Sequence, residues 1–214
     1  MKQTEKRMKT TEVQLFNIDD KALIIRNFLP NDILQQVRNY KYKNLKKSSE
    51  LENPWSALLY SCEITNKRNI EDVKIVELID TQKKLILNPL FIEVQKLILE
   101  HPSIPIFKEK KYEFSLTYYQ YEKNSGINWH GDKNYALNFS LYIHDNWNPN
   151  WGGETLIDTG RGLPLVSIPF PNTLLCIKEK VEHKVCAVTA DVKRKVLQCR
   201  YNFYEENKKK NELL

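Results

Sequence analysis

Hydrophobic and polar positions change rhythm about halfway along the chain. "KALIIRNFL" (21–29) is an apolar, branched run that predicts a strand. "PNDILQQVRNYKYK" (30–43) follows with apolar residues at helical spacing behind Asn31 or Asp32 as a cap. The stretches 71–87 and 90–100, the latter "LFIEVQKLILE", predict two more helices divided by the Asn88-Pro89 breaker. From residue 112 the runs shorten and fill with Tyr, Phe, Val, Leu and Thr: "YEFSLTYYQY", "YALNFSLYI", "GETLIDT", "TLLCIK", "KVCAV" and "KVLQCRYNFY". Turn signals such as Asn-Ser-Gly, Asn-Pro-Asn and Pro-Asn separate them, so they predict six short strands. The expected architecture is α+β: an antiparallel barrel or jelly roll over 112–204, buttressed by a mainly helical layer over 20–105.

Composition narrows this picture more than it redirects it. A chain of 214 residues, 41% hydrophobic and without internal repeats, suits one domain. Cys62, Cys176, Cys186 and Cys199 lie far apart with no CxxC pair, which argues against a zinc ribbon or a disulfide framework and for a reducing, cytoplasmic setting. No apolar run approaches the roughly 20 residues that cross a bilayer, so no membrane partner is expected. Half of the net charge of +6 falls on residues 1–10, where Lys2, Lys6, Arg7 and Lys9 face only Glu5. That basic stretch and the end of the chain, 205–214, read as tails. Elsewhere the charges alternate in sign, and charge alone names no nucleic-acid partner.

Candidate chemistry begins at "NWHGDKN" (128–134). In extended backbone, residues two apart face one side, so His130 and Asp132 converge. One more ligand would complete a site, and the other histidines of the chain are His101, His144 and His183. His183 lies three predicted strands further on, where the chain can return beside its start. Two imidazoles and a carboxylate on one face of iron(II) leave open positions, as in non-haem oxygenases.

The ordered set "WHGD", "LYIHDNWNPNWGGETLI", "EHKV" and "RKVL" resembles the 2-oxoglutarate and iron(II)-dependent oxygenases, in their prolyl 4-hydroxylase-like branch, across roughly residues 112–204. The resemblance implies a double-stranded β-helix, with His130, Asp132 and His183 as iron ligands. It implies a cation for the distal carboxylate of 2-oxoglutarate, and a guanidinium suits that carboxylate with two parallel hydrogen bonds. Arg194 and Lys193 compete for this role. Strand parity favours Arg194, which shares a face with Val196 and Gln198. Tyr142 matches a tyrosine that reaches the same carboxylate in many relatives, and Tyr121 and Asn138 are further cosubstrate-pocket candidates. His144, Trp147, Trp151 and the Gly152-Gly153 pair read as structural.

The implied reaction consumes 2-oxoglutarate and O₂, releases succinate and CO₂, and hydroxylates a substrate, with ascorbate as a candidate reductant. Asp132 stands where related halogenases carry Ala or Gly, which favours hydroxylation. The implied substrate is a peptidyl, in particular prolyl, residue or a free amino acid or other small molecule. Arg194 and Arg200, spaced as Arg-x5-Arg, are similar to the end of the alkylation-repair nucleic-acid demethylases, which supply the alternative enzymatic reading. A metal-independent β-barrel binding module is the non-enzymatic one.

Overall fold

A computed structural model describes residues 21–43, 45–47, 59–63, 88–104, 112–132 and 135–203. The helix expected at 71–87 and the two tails lie outside the described residues. In chain order the elements are β1 (Ala22–Arg26), α1 (Asn31–Asn39), β2 (Lys46–Lys47), β3 (Leu59–Glu63), α2 (Pro89–Glu100), β4 (Tyr112–Tyr121), β5 (Ile127–His130) and β6 (Leu137–Tyr142). They continue with a 3₁₀ turn (Pro149–Trp151), β7 (Thr155–Ile157), β8 (Leu165–Ser167), β9 (Thr173–Lys178), β10 (His183–Val185) and β11 (Arg194–Phe203).

The strands form two antiparallel sheets, a major one in the order β1-β9-β6-β11-β4-β3-β2 and a minor one in the order β5-β10-β7-β8. They face one another as the double-stranded β-helix expected from the sequence, but do not close into a barrel. All six strands expected after residue 112 coincide with β4, β6, β7, β9, β10 and β11 to within three residues at either end. β5 and β8 escape the pattern. β5 buries only Ile127, and β8 buries only Ser167, so neither shows the two or three alternations that announce a strand.

The major sheet is apolar on one face and mixed apolar and polar on the other. Side chains alternate along a strand. Leu137, Phe139 and Leu141 of β6, Leu174 and Cys176 of β9, and Leu197, Cys199 and Tyr201 of β11 therefore meet the helices in one buried cluster. The helices bring Leu34, Val37, Phe91, Val94, Ile98 and Leu99 to it. Each such aliphatic or aromatic side chain contributes roughly 1.5–3 kcal/mol on burial. The alternate residues look into the space between the sheets, where a second cluster holds Tyr121, Ile127, Tyr142, Ile157, Leu175, Ile177, Val185 and Val196.

The helix ends are made differently from one another. Asn88 caps α2, its side chain accepting from the Leu90 amide at 3.0 Å, with Pro89 in the first turn where a missing N–H costs nothing. At α1 the expected side-chain cap does not form. Pro30 holds the capping position, and its carbonyl accepts from Leu34 N at 2.9 Å, so Asn31 and Asp32 fall inside the helix. Near the other end of α1, Arg38 donates to the carbonyls of Ile143 and His144 at 2.9 and 2.6 Å and fastens the helix to the segment after β6. Cys176, Cys186 and Cys199 are free thiols. No helix among the described residues is long and apolar enough to cross a membrane.

Candidate metal centre and its pocket

β5 ends at His130 and β10 begins at His183, and in the antiparallel register these two residues are directly paired. Their rings lie 4.3 Å apart between centroids. Asp132 stands two residues beyond the end of β5, with Oδ2 3.7 Å from His183 Nε2. The three ligand atoms lie within 4.8 Å of one another. His101 sits at the end of α2, against Phe28. His144 is buried elsewhere, with Nε2 2.6 Å from the Pro169 carbonyl and Nδ1 accepting from Lys195 N at 3.3 Å. Of the three histidines open to the role in the sequence, only His183 joins His130 and Asp132.

Both imidazoles of the cluster are held by the backbone in the same way. Nδ1 of His130 lies 2.8 Å from the Asn128 carbonyl, and Nδ1 of His183 lies 2.9 Å from the Val181 carbonyl. A carbonyl can only accept, so Nδ1 carries the hydrogen and Nε2 keeps its lone pair for a cation. Burial pushes the pKa of His183 down, against the opposing pull of the Val181 carbonyl, and keeps the ring in the neutral form that binds metal. Asp132 Oδ2 accepts from Asn138 Nδ2, Asn138 Oδ1 accepts from Gln198 Nε2, and Gln198 Oε1 accepts from Ser140 Oγ at 3.3 Å. Two nitrogens and one oxygen converging beside an open pocket suit iron(II) in donor type and number.

The pocket is lined by the cluster together with Tyr121, Asn138, Ser140, Thr155, Ile177, Gln198, Arg194 and Arg200, among others. Arg194, only 2% exposed, enters it from the start of β11. Its guanidinium lies 4.7 and 4.9 Å from the ring centroids of Tyr121 and Tyr142, and its Nη2 donates to Thr155 Oγ1 at 3.3 Å. The Tyr142 hydroxyl is 3.3 Å from the same Thr155 oxygen. Arg194 Nε is buried without a partner. Lys193, by contrast, is exposed and paired with Glu122 at 3.7 Å.

Burial pushes Tyr121 up to about 12, with Arg194 opposing, so its phenol stays protonated. Gly153, at φ +70°, lies so close to the Arg194 stem that an added Cβ would sit 3.1 Å from Arg194 Cδ and 2.9 Å from the Trp147 ring. Trp147 in turn donates to the Gly152 carbonyl at 3.1 Å, so the Trp-Gly-Gly turn packs behind the arginine.

Of the residues expected at the site, His130, Asp132, His183, Arg194, Tyr121 and Asn138 line the pocket and Tyr142 lies beside the Arg194 guanidinium, whereas Lys193 and His101 stand apart from it. Asn138 lines it, but its amide is taken up by Asp132 and Gln198. Sequence reasoning missed Thr155 and Ser140 and used Gln198 only as a parity marker. Their signal was weak: each is an inward position of a strand already identified, next to a residue that was.

Residues 116–202, which include His130, Asp132, His183 and Arg194, match the family model described as 2OG-Fe(II) oxygenase superfamily. No curated protein matches the chain. Among solved structures, a Pseudomonas putida prolyl-4-hydroxylase is similar at 16% identity and a TM-score of 0.55, over 88% of this chain and 97% of that one. A prolyl hydroxylase from Trichoplax adhaerens, in complex with a hypoxia inducible factor oxygen degradation domain peptide fragment, is similar at 16% identity and a TM-score of 0.56, over 85% and 83% of the two chains. HygX from Streptomyces hygroscopicus, with nickel, 2-oxoglutarate and hygromycin B bound, is similar at 11% identity and a TM-score of 0.58, over 88% and 86%. At these identities the likeness is one of fold.

Proposed function

We propose, from the match of residues 116–202 to the 2OG-Fe(II) oxygenase superfamily model, that the protein is a 2-oxoglutarate- and iron(II)-dependent hydroxylase of a peptidyl residue, prolyl included, or of a free amino acid or small molecule. One observation carries this reading. A cluster of two imidazoles and a carboxylate opens onto the pocket into which Arg194 brings a buried guanidinium whose Nε has no partner.

In this reading His130, Asp132 and His183 hold iron(II) through the two Nε2 atoms and a carboxylate oxygen. Asn138 orients the carboxylate, and its own amide is oriented by Gln198. Arg194 takes the distal carboxylate of 2-oxoglutarate in a charge-assisted pair, and Thr155 and Tyr142 set the hydroxyls beside it. Tyr121 covers the guanidinium with its ring and holds its own proton. Ile127, Ile177 and Val185 keep water from the walls. Bound iron(II), with 2-oxoglutarate and O₂, supplies the oxidative decarboxylation that releases succinate and CO₂ and hydroxylates the substrate.

The test is spectroscopic. Anaerobic protein given iron(II) and 2-oxoglutarate is expected to develop a weak visible charge-transfer band, and Asp132→Ala to abolish it. A band that survives unchanged in Asp132→Ala and in His183→Ala rejects the ligand set.

A further inference from the structure

The pocket holds a second guanidinium that the reading above leaves unused. Arg200 shares strand parity with Arg194 and Gln198 on β11 and lines the same pocket. Its Nη2 donates to the Tyr119 hydroxyl at 3.1 Å, and its head lies 5.5 and 5.4 Å from the ring centroids of Tyr119 and Tyr135. Its Nε is buried without a hydrogen-bond partner. Phenols and ring faces accommodate a cation but do not neutralise it. Asp132 is the one acidic residue among the described residues that line the pocket, and it belongs to the metal set.

Iron(II), its aspartate, the dianionic cosubstrate and Arg194 together come to neutrality. Arg200 then remains as one uncompensated cation inside a partly closed pocket, with an unfilled donor on a planar fork that matches a carboxylate. An anion has to enter the pocket to reach that buried Nε, which suits a compact acid better than the outer backbone of a polymer.

We propose that Arg200 is the substrate-recognition residue of this pocket, and that the substrate is a small carboxylic acid, an amino acid or an organic acid, whose carboxylate seats on Arg200 beside Tyr119 and Tyr135. The inference rests on the oxygenase reading and selects the small-molecule branch within it.

The experiment separates the two. The charge-transfer band and slow succinate formation from 2-oxoglutarate alone are checked first in the wild-type protein; without them the oxygenase reading fails. With them present, succinate formation is measured with free L-amino acids and small organic acids, each beside its carboxamide. An end-capped proline-rich peptide lacking acidic residues and a single-stranded oligonucleotide are included. At least one acid is expected to stimulate turnover about 10-fold or more beyond its amide, the scale of one charge-assisted pair. Binding of that acid to the anaerobic iron and 2-oxoglutarate complex, followed by calorimetry, is expected to weaken by a similar factor in Arg200→Gln and by less in Arg200→Lys. Acid and amide acting alike, no response to any acid in protein that forms the band, a response only to the peptide or the oligonucleotide, or an acid preference that survives Arg200→Gln would each overturn the proposal. If Arg200→Gln does not fold, the wild-type comparison of acid with amide decides it.

Discussion

Strand β11 has two faces that do opposite things. Towards the helices it presents Leu197, Cys199 and Tyr201, closed in by Phe91, Val94 and Ile98. Towards the minor sheet it presents Arg194, Val196, Gln198 and Arg200, three of them polar or charged and all of them buried or half-buried. The first face is interchangeable in kind, because burial free energy follows apolar area. The second is not, because each polar atom needs a partner of fixed type at a fixed place. Two of its atoms, Nε of Arg194 and Nε of Arg200, have none. A protein tolerates such orphans where a ligand is meant to arrive. One face of β11 holds the fold and the other is held by it.

Phe139→Ala empties the centre of the apolar face, where the ring meets Tyr201 edge-on at 5.4 Å between centroids. It is expected to cost about 3–5 kcal/mol of unfolding free energy, read from urea titration. The 2-oxoglutarate requirement of the folded fraction should stay within about twofold. A large change in that requirement with little loss of stability would mean that the faces are not separate.

A second handle contrasts two kinds of buried histidine. His183, its pKa lowered by burial, lies in the candidate metal cluster beside Asp132. His144 is neutral in packing, against Trp147 at 4.6 Å, and burial pushes it down to about 4. A lowered folded pKa means that the unfolded chain binds the extra proton between pH 6.5 and 4. The stabilisation is therefore complete above pH 6.5 and is lost as pH falls through about 4, with a ceiling of about 3 kcal/mol. Urea midpoints are expected to fall more steeply over that window in the wild type than in His144→Gln. Parallel lines would remove His144 from the acid response.

On β11 a buried arginine follows directly on the exposed Lys193. Arg194→Ala is expected to raise the apparent KM for 2-oxoglutarate about 10- to 100-fold, as loss of one partner of a buried charge pair does. Lys193→Ala, which loses only an exposed pair with Glu122, should move it less than about twofold. The reverse ranking would shift the functional register of β11 by one residue.

Much of this was legible along the chain. The long strands announce themselves because both faces are buried and ten residues of β4 or β11 leave room for a pattern. The residue types of the site, two histidines, an aspartate and an arginine in that setting, are visible as letters. β5 was not visible, since four residues with one buried side chain carry no period, and the cap of α1 was misplaced because Pro30 supplies a backbone acceptor where a side chain was expected.

Alternation within each long strand, the sequence of those strands along the chain and the stock of chemically able side chains are local properties, legible one strand at a time. That His183, rather than His101 or His144, meets His130 depends on the pairing of β5 with β10. Pairing between strands also turns Asn138 to Asp132 and lets Thr155 join Arg194 to Tyr142. Distance between strands is set by register and by the facing of two sheets, and neither is written in the spacing of residues along one of them.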